Sequence, residues 1–455
     1  MAASAVVVAL LVWVTFPAGG VYPAVWIPAA LVTLLLALRV RPRIARGHDL
    51  RGIDLALIAV ALAMIVQLIP LPRSTLERID PHAIPLRTAL WLPVPATSPM
   101  AISLVPAYTM EALGIFAAAV LLFWTCRQIC EGGGTGRIVR GVAIIGFVAS
   151  MTAIMQYGGN QQLLYGFWRP RDAGARPYGP FVNRNHFATW MIMACPLVFG
   201  YLLARAPAAR ERQTLAQRVV AAAKQLGSMR IWLAVSVCMM TLAVTISASR
   251  SGVIGLATAL TASVLLSRGH YVRHTRSWTI FQAVLLIVVV VSFANFDALS
   301  ARVDETMQDM QAGRGRSAIW RDAERLIQDV PVTGSGAGTF GTAIVPYQTA
   351  LPGFSLMNAH NHYLQLAAEG GALVVIPSAL ALGCFLLLFL RQMANETGSN
   401  LLVRAGAGAG ILAVLVQSFW ETGLRMPANA MLCAVLAAVA VHRAPLTPAP
   451  DHRSR

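Results

Sequence analysis

The feature that most limits what this chain can become is its succession of apolar blocks, each about 17 to 22 residues long and nearly free of charge. At 1.5 Å per residue, a helix of that length covers the ~30 Å hydrocarbon layer of a bilayer. Spans are expected near 3–19, 22–38, 53–70, 108–126, 139–157, 186–204, 231–248, 251–267, 278–297, 371–390, 403–420 and 427–442, about twelve in all. The chain is 57% apolar and 12% charged, roughly half the charge fraction of a soluble domain. The fold class is therefore an all-α polytopic membrane protein. Ala2–Gly19 lacks the basic start of a secretory signal and a second block follows at once, so it reads as a retained first helix.

A formal net charge of +17 would ordinarily point to nucleic acid. Here the cations are one Lys and 35 Arg scattered over short loops, which leaves no basic domain to hold a duplex. They report orientation instead. Five Arg crowd Arg39–Arg51, between the second and third spans, which assigns that loop and both termini to the cytoplasm. On this topology 22 basic residues are cytoplasmic and 14 lie outside, although the outside loops are longer.

The six Cys lie in or beside spans with no second ligand pair, so neither a disulfide nor a metal site is expected, and no cofactor is implied. Glu111 reads as the one clear acid inside a span, a thin polar path for a transporter. Domain organisation follows the spans: 1–234 with outside loops 72–108 and 158–185, a unit over 235–390 with a large outside loop 298–370, helices over 391–442, and a tail over 443–455. Within 298–370, a helix over 317–330 would place Ile319, Trp320, Ala323, Leu326 and Ile327 on one face and Arg321, Asp322, Glu324 and Arg325 on the other, forming a small lid on the membrane.

Three polar constellations stand at outer ends of spans. In Tyr178–Phe187, Asn183, Arg184, Asn185 and His186 crowd a helix start, where Asn caps and anions are favoured. A capped helix with an interfacial Arg is the plainer reading. Ser247-Ala-Ser-Arg-Ser-Gly252 puts Arg250 at the tip of a break, either as a snorkelling side chain or as a clamp whose planar fork bonds two phosphate oxygens. The third runs from Arg316 and Trp320 through Gly334–Gly341 to Ala359–Gly371. Gly336, Gly338 and Gly341 spell G-x-G-x-x-G, but no strand–helix unit surrounds them, so a dinucleotide fold is rejected; they permit a tight turn or let backbone N–H groups approach an anion. His360 and His362 lack an acidic cluster for a metal pair. One imidazole accepting a proton from a hydroxyl nucleophile is the sharper reading.

The order S-R-S-G, R-x-x-x-W, G-x-G-x-x-x-F, then H-N-H-Y-L-Q with E-G-G resembles the domain shared by O-antigen ligases, O-antigen polymerases and related exopolysaccharide polymerases, over about residues 235–390. The upstream G-P-F-V-N-R-N-H-F-A and the number of spans are similar to members of that family. The resemblance implies a fold like that of integral-membrane glycosyltransferases (GT-C-like). It implies an undecaprenyl-diphosphate-linked glycan donor, a glycan or lipid A–core acceptor, membrane lipids as surroundings, and a periplasmic site on the bacterial inner membrane. By position, Arg250 and Arg316 would bind the diphosphate, with Arg184 a weaker addition. His360 would activate or orient the acceptor hydroxyl, with Asn361, His362 and Glu369 in support. Metal-independent, inverting transfer is then expected. A transporter or flippase of lipid-linked saccharides is the alternative, and a scaffold is a third reading that leaves the outer loop unexplained.

Overall fold

The computed structural model describes residues 2–45, 48–159, 162–171, 175–205, 229–267, 315–349, 355–396 and 398–443. Fifteen α-helices occur among them: α1 Ala2–Thr15, α2 Pro23–Val40, α3 His48–Val66, α4 Arg73–Ile79, α5 Ala83–Ala89, α6 Pro106–Glu131, α7 Thr135–Tyr157, α8 Arg184–Ala204, α9 Met229–Ile246, α10 Arg250–Ser267, α11 Arg316–Asp329, α12 Phe340–Ala343, α13 His362–Asn395, α14 Gly398–Gln417 and α15 Pro427–Val441. A two-residue antiparallel pair, Pro70–Leu71 with Met100–Ala101, is the one sheet among the described residues. Eight helices are long and apolar enough to cross a membrane: α2, α6, α7, α8, α9, α10, α13 and α14. The chain is a polytopic helical membrane protein. The expected span 278–297, most of the loop 206–228 and most of the tail lie outside the described residues.

Helix starts follow local chemistry. Pro stands at the first position of α2, α6 and α15, where its missing N–H costs nothing. Asn183 caps α8 by accepting from Asn185 N, and Asn361 caps α13 by accepting from Tyr363 N and Leu364 N. The span expected from 371 begins nine residues earlier, because α13 runs through a break at Gly371, φ 53° and ψ −165°. That backbone is open to glycine alone, and a Cβ there would stand 2.5 Å from Val332 O.

At the centre lies α8, almost wholly buried and packed most extensively on α14. Lipid-like interiors offer helices little hydrophobic drive to associate, so close backbone approach matters. Gly410 of α14 supplies it, since a Cβ there would meet Met193 O at 2.7 Å.

The two ends of the bundle differ. At one, Arg127 of α6 bonds both oxygens of Asp54 at 2.8 Å and also the carbonyl of Arg43. Arg404 of α14 pairs there with Glu396. Asp54 is a fully buried acid in α3, which corrects the reading of Glu111 as the one clear acid in a span. Its charge is tolerated because the bidentate guanidinium and Trp124 Nε1 satisfy both oxygens.

At the other end, residues 72–108, 315–349 and 355–370 form one cap with its own apolar core, built from Leu86, Leu104, Ile319, Leu326, Phe340 and Ile344 among others. Helix α11 matches the expected amphipathic element, with one correction: Asp322 faces inward and is fully buried. It accepts hydrogen bonds from Thr349 N (2.9 Å) and Thr349 Oγ1 (2.7 Å), so a polar contact claims a position that charge alone assigned to solvent.

Candidate active site

Besides α4 of the cap, which starts on Arg73, helices at this end begin on a cation or an imidazole: Arg184 opens α8, Arg250 α10, Arg316 α11 and His362 α13. A helix N-terminus carries about half a positive charge, so a cation at its first position gains nothing from the dipole. The same arrangement, with N–H groups and guanidiniums together, is favourable for an anion. Ser249 ties two of these starts together. Its Oγ donates to Asn185 Oδ1 (2.8 Å) and accepts from Gly252 N (3.2 Å), while Gly252 lets α10 lie directly against Ala188. Gln417 Nε2 reaches Ser251 Oγ at 3.4 Å, bringing in the end of α14. Arg184 and Asn185 are half-buried, and Arg250 and Arg316 are open to solvent.

His360 is held in the left-handed region, φ 50°, a conformation that costs energy and persists only where neighbours enforce it. The enforcers are named by the sequence motif. Trp320, one turn along α11 from Arg316, donates Nε1–H to Ala359 O (3.0 Å). Gln365 Oε1 accepts from Ala359 N (3.0 Å), and Asn361 caps the helix that follows. The R-x-x-x-W spacing thus fastens the imidazole-bearing loop to the helix that carries Arg316.

The group that sequence reasoning missed is Glu421, in the turn between α14 and α15. It is buried, with Oε1 accepting from Thr422 N (3.1 Å) and standing 3.8 Å from His186 Nε2, while Oε2 has no hydrogen-bond partner among the described residues. Glu421 acts electrostatically on His186, His360 and Arg316 alike, and Arg316 in turn feels Arg250. The signal in the sequence is an acid one residue beyond the apolar block 403–420.

His360 has its pKa lowered by burial, with Glu421 raising it and Arg316 lowering it further. A neutral imidazole at pH 7 results, competent to accept a proton. Arg316, open to solvent, stays charged, as any guanidinium does.

Glu369 and His362 belong elsewhere. The glycine loop does cradle an anion, and that anion is the Glu369 carboxylate. It accepts from Gly338 N (2.8 Å), Phe340 N (3.2 Å), Gln365 Nε2 (3.1 Å) and Arg425 Nη1 (2.5 Å). Gln67, just past α3, completes the join by donating to Thr333 O and Glu369 O, both at 2.8 Å. This latch fixes the cap to the bundle. His362 donates its backbone N–H to Ser418 O (2.8 Å), and the charged side chains acting on its ring are Arg425 and Glu369. The two histidines therefore face different surroundings, and His360 alone shares the arginine cluster.

Fold and site define a multi-pass membrane protein with a cluster of arginines and a neutral imidazole at one end. Residues 235–379 match the family model described as O-antigen ligase, and this part of the chain is an O-antigen ligase family domain. No curated protein matches the chain. The matched region holds Arg250, Arg316, His360, Asn361, His362 and Glu369, and leaves Arg184, His186 and Glu421 outside it.

Proposed function

We propose that the chain transfers a glycan from an undecaprenyl-diphosphate-linked donor to an acceptor sugar hydroxyl at the periplasmic face of the bacterial inner membrane, as an O-antigen ligase or an O-antigen or exopolysaccharide polymerase. The observation that carries this reading is the meeting of Arg250, Arg316 and the neutral His360 at one end of the bundle. Displacing a diphosphate from an anomeric carbon builds negative charge on the leaving oxygen, and Arg250 and Arg316 supply positive charge and forked N–H donors there. Arg184, at the neighbouring helix start, extends the same field. His360 takes the proton of the acceptor hydroxyl as that oxygen attacks. Attack opposite the leaving group inverts the anomeric centre, and the guanidiniums do the work a divalent ion would otherwise do.

Sidedness follows from the bundle. Helix α3 starts beside the Arg39–Arg51 loop and ends at Gln67, which bonds the cap, so the Arg-rich loop and the site lie at opposite ends. With that loop cytoplasmic, the site is periplasmic. The buried ionic groups described above gather at these two ends rather than along a path between them, which favours transfer over translocation.

The test is reconstitution with a defined undecaprenyl-diphosphate glycan and competing acceptors. A ladder of repeats identifies a polymerase and a single addition to lipid A–core a ligase. Activity should survive EDTA. Transport of the intact donor across the bilayer with no new glycosidic bond would overturn the reading.

A further inference from the structure

Two buried groups of the site lie outside the family match and carry no role so far, His186 on α8 and Glu421 after α14. They are built to stay together. Asn429 Nδ2 donates to both His186 O (3.1 Å) and Gly423 O (2.8 Å), clamping the first turn of α8 to the turn that holds Glu421. Gly423 packs so close to Thr189, one helical turn from His186, that any Cβ there would run into the Thr189 hydroxyl. Across this clamp, His186 Nε2 stands 3.8 Å from Glu421 Oε1. Both His186 Nδ1 and Glu421 Oε2 are buried and have no hydrogen-bond partner among the described residues. A carboxylate taken out of water is costly unless a charge or donor holds it. The charged or titratable groups acting on it are His186 from α8, His360 from the loop before α13 and Arg316 from α11, with Arg250 of α10 acting through Arg316.

One carboxylate thus lies 3.8 Å from one imidazole and within electrostatic reach of a second on a different element. We propose that His186 is a positioning residue of the transfer reaction: it holds the Glu421 carboxylate toward His360, so that the imidazolium formed on His360 meets a fixed negative charge. The inference rests on the function proposed above. In that reaction the acceptor O–H bond breaks and its proton goes to His360. The freed oxygen bonds the anomeric carbon, the carbon–oxygen bond to diphosphate breaks, and the lipid diphosphate leaves with the electron pair. His360 then returns the proton to water. His186 touches neither substrate; it fixes where the counter-charge sits.

The test uses the full chain in lipid nanodiscs, with an undecaprenyl-diphosphate glycan donor and its acceptor. His186→Ala should lower kcat by at least about tenfold, a part of the 10²–10⁴ that a positioned base supplies, with donor KM changed less than about twofold. The acid limb of its kcat profile should move to lower pH, because His360 loses the charge that favours its protonated form. His186→Gln, which keeps an N–H donor near the same place, should recover most of kcat. In a Glu421→Gln background, His186→Ala should add little further loss. Should His186→Ala fail to accumulate, the Gln variant and Glu421→Gln alone carry the comparison: a His186→Gln enzyme as slow as Glu421→Gln overturns the proposal. So does an alanine variant with wild-type kcat, or one whose loss leaves the acid limb in place and adds in full to that of Glu421→Gln. Absence of transfer by the wild-type enzyme sinks the proposed function itself, an outcome separate from these.

Discussion

At the scale of single residues, the site separates groups by what surrounds them. Arg250 and Arg316 share a field, and what an arginine offers beyond charge is the fork that bonds two oxygens at once. Arg316→Lys keeps the charge and loses the fork, so donor KM should rise by about tenfold or more while abundance in the membrane holds; steady-state kinetics at varied donor concentration read it. For His360, burial and Arg316 pull the pKa down against Glu421, which places the acid limb of activity below the ordinary imidazole value of about 6.5. Glu421→Gln removes the one opposing influence, so the limb should move lower still, as a pH–rate profile would record. Asn361 and Trp320 were legible as parts of a motif, but their work was not: one caps a helix and the other pins the carbonyl before His360.

At the scale of elements, the junction of the cap with α13 decides whether the site exists. Gly371→Ala imposes a side chain where φ is 53° and Val332 O is already close. The conformation alone costs about 1–3 kcal/mol, so the thermal midpoint in detergent should fall and the amides of 333–340 should exchange faster. The same junction carries a pH dependence. Burial raises the Asp80 carboxyl from 3.8 to about 6, against backbone N–H groups of Thr333 and Val332 and against His82. Its side chain also accepts from the Thr333 hydroxyl. The folded state therefore binds this proton more tightly than the unfolded chain does, and the stability it contributes is present below about pH 4 and lost as pH rises through about 6. Protection of the 333–340 amides, relative to their intrinsic exchange rates at each pH, should be greater at pH 5 than at pH 7, and Asp80→Asn should flatten that difference. The helices themselves were readable because a charge-free apolar run has one use in a bilayer. The inward turn of Asp322 was not, since its partner Thr349 lies 27 residues away.

At the scale of the whole molecule, the bundle has a cation-rich end and an ion-paired end, the latter tied by Arg127–Asp54 and Arg404–Glu396. Trp91, on the cap and 95% exposed, and Arg39, in the last turn of α2 at the far end, give a direct test of orientation. Trp91→Cys should react with a membrane-impermeant maleimide from the periplasmic side, and Arg39→Cys only after the membrane is opened; the reverse pattern would invert the proposed topology. The sequence by itself determined the membrane class, the placing of most helices, the Arg-rich loop that orients them, and the family resemblance, because these are written in local composition and spacing. Only the tertiary structure decided that the glycine loop is occupied by Glu369, that His360 and His362 face different partners, and that Glu421 joins His186 to the site. Those outcomes depend on which distant backbones meet at one end of the bundle, and hydropathy and spacing along the chain carry no record of that.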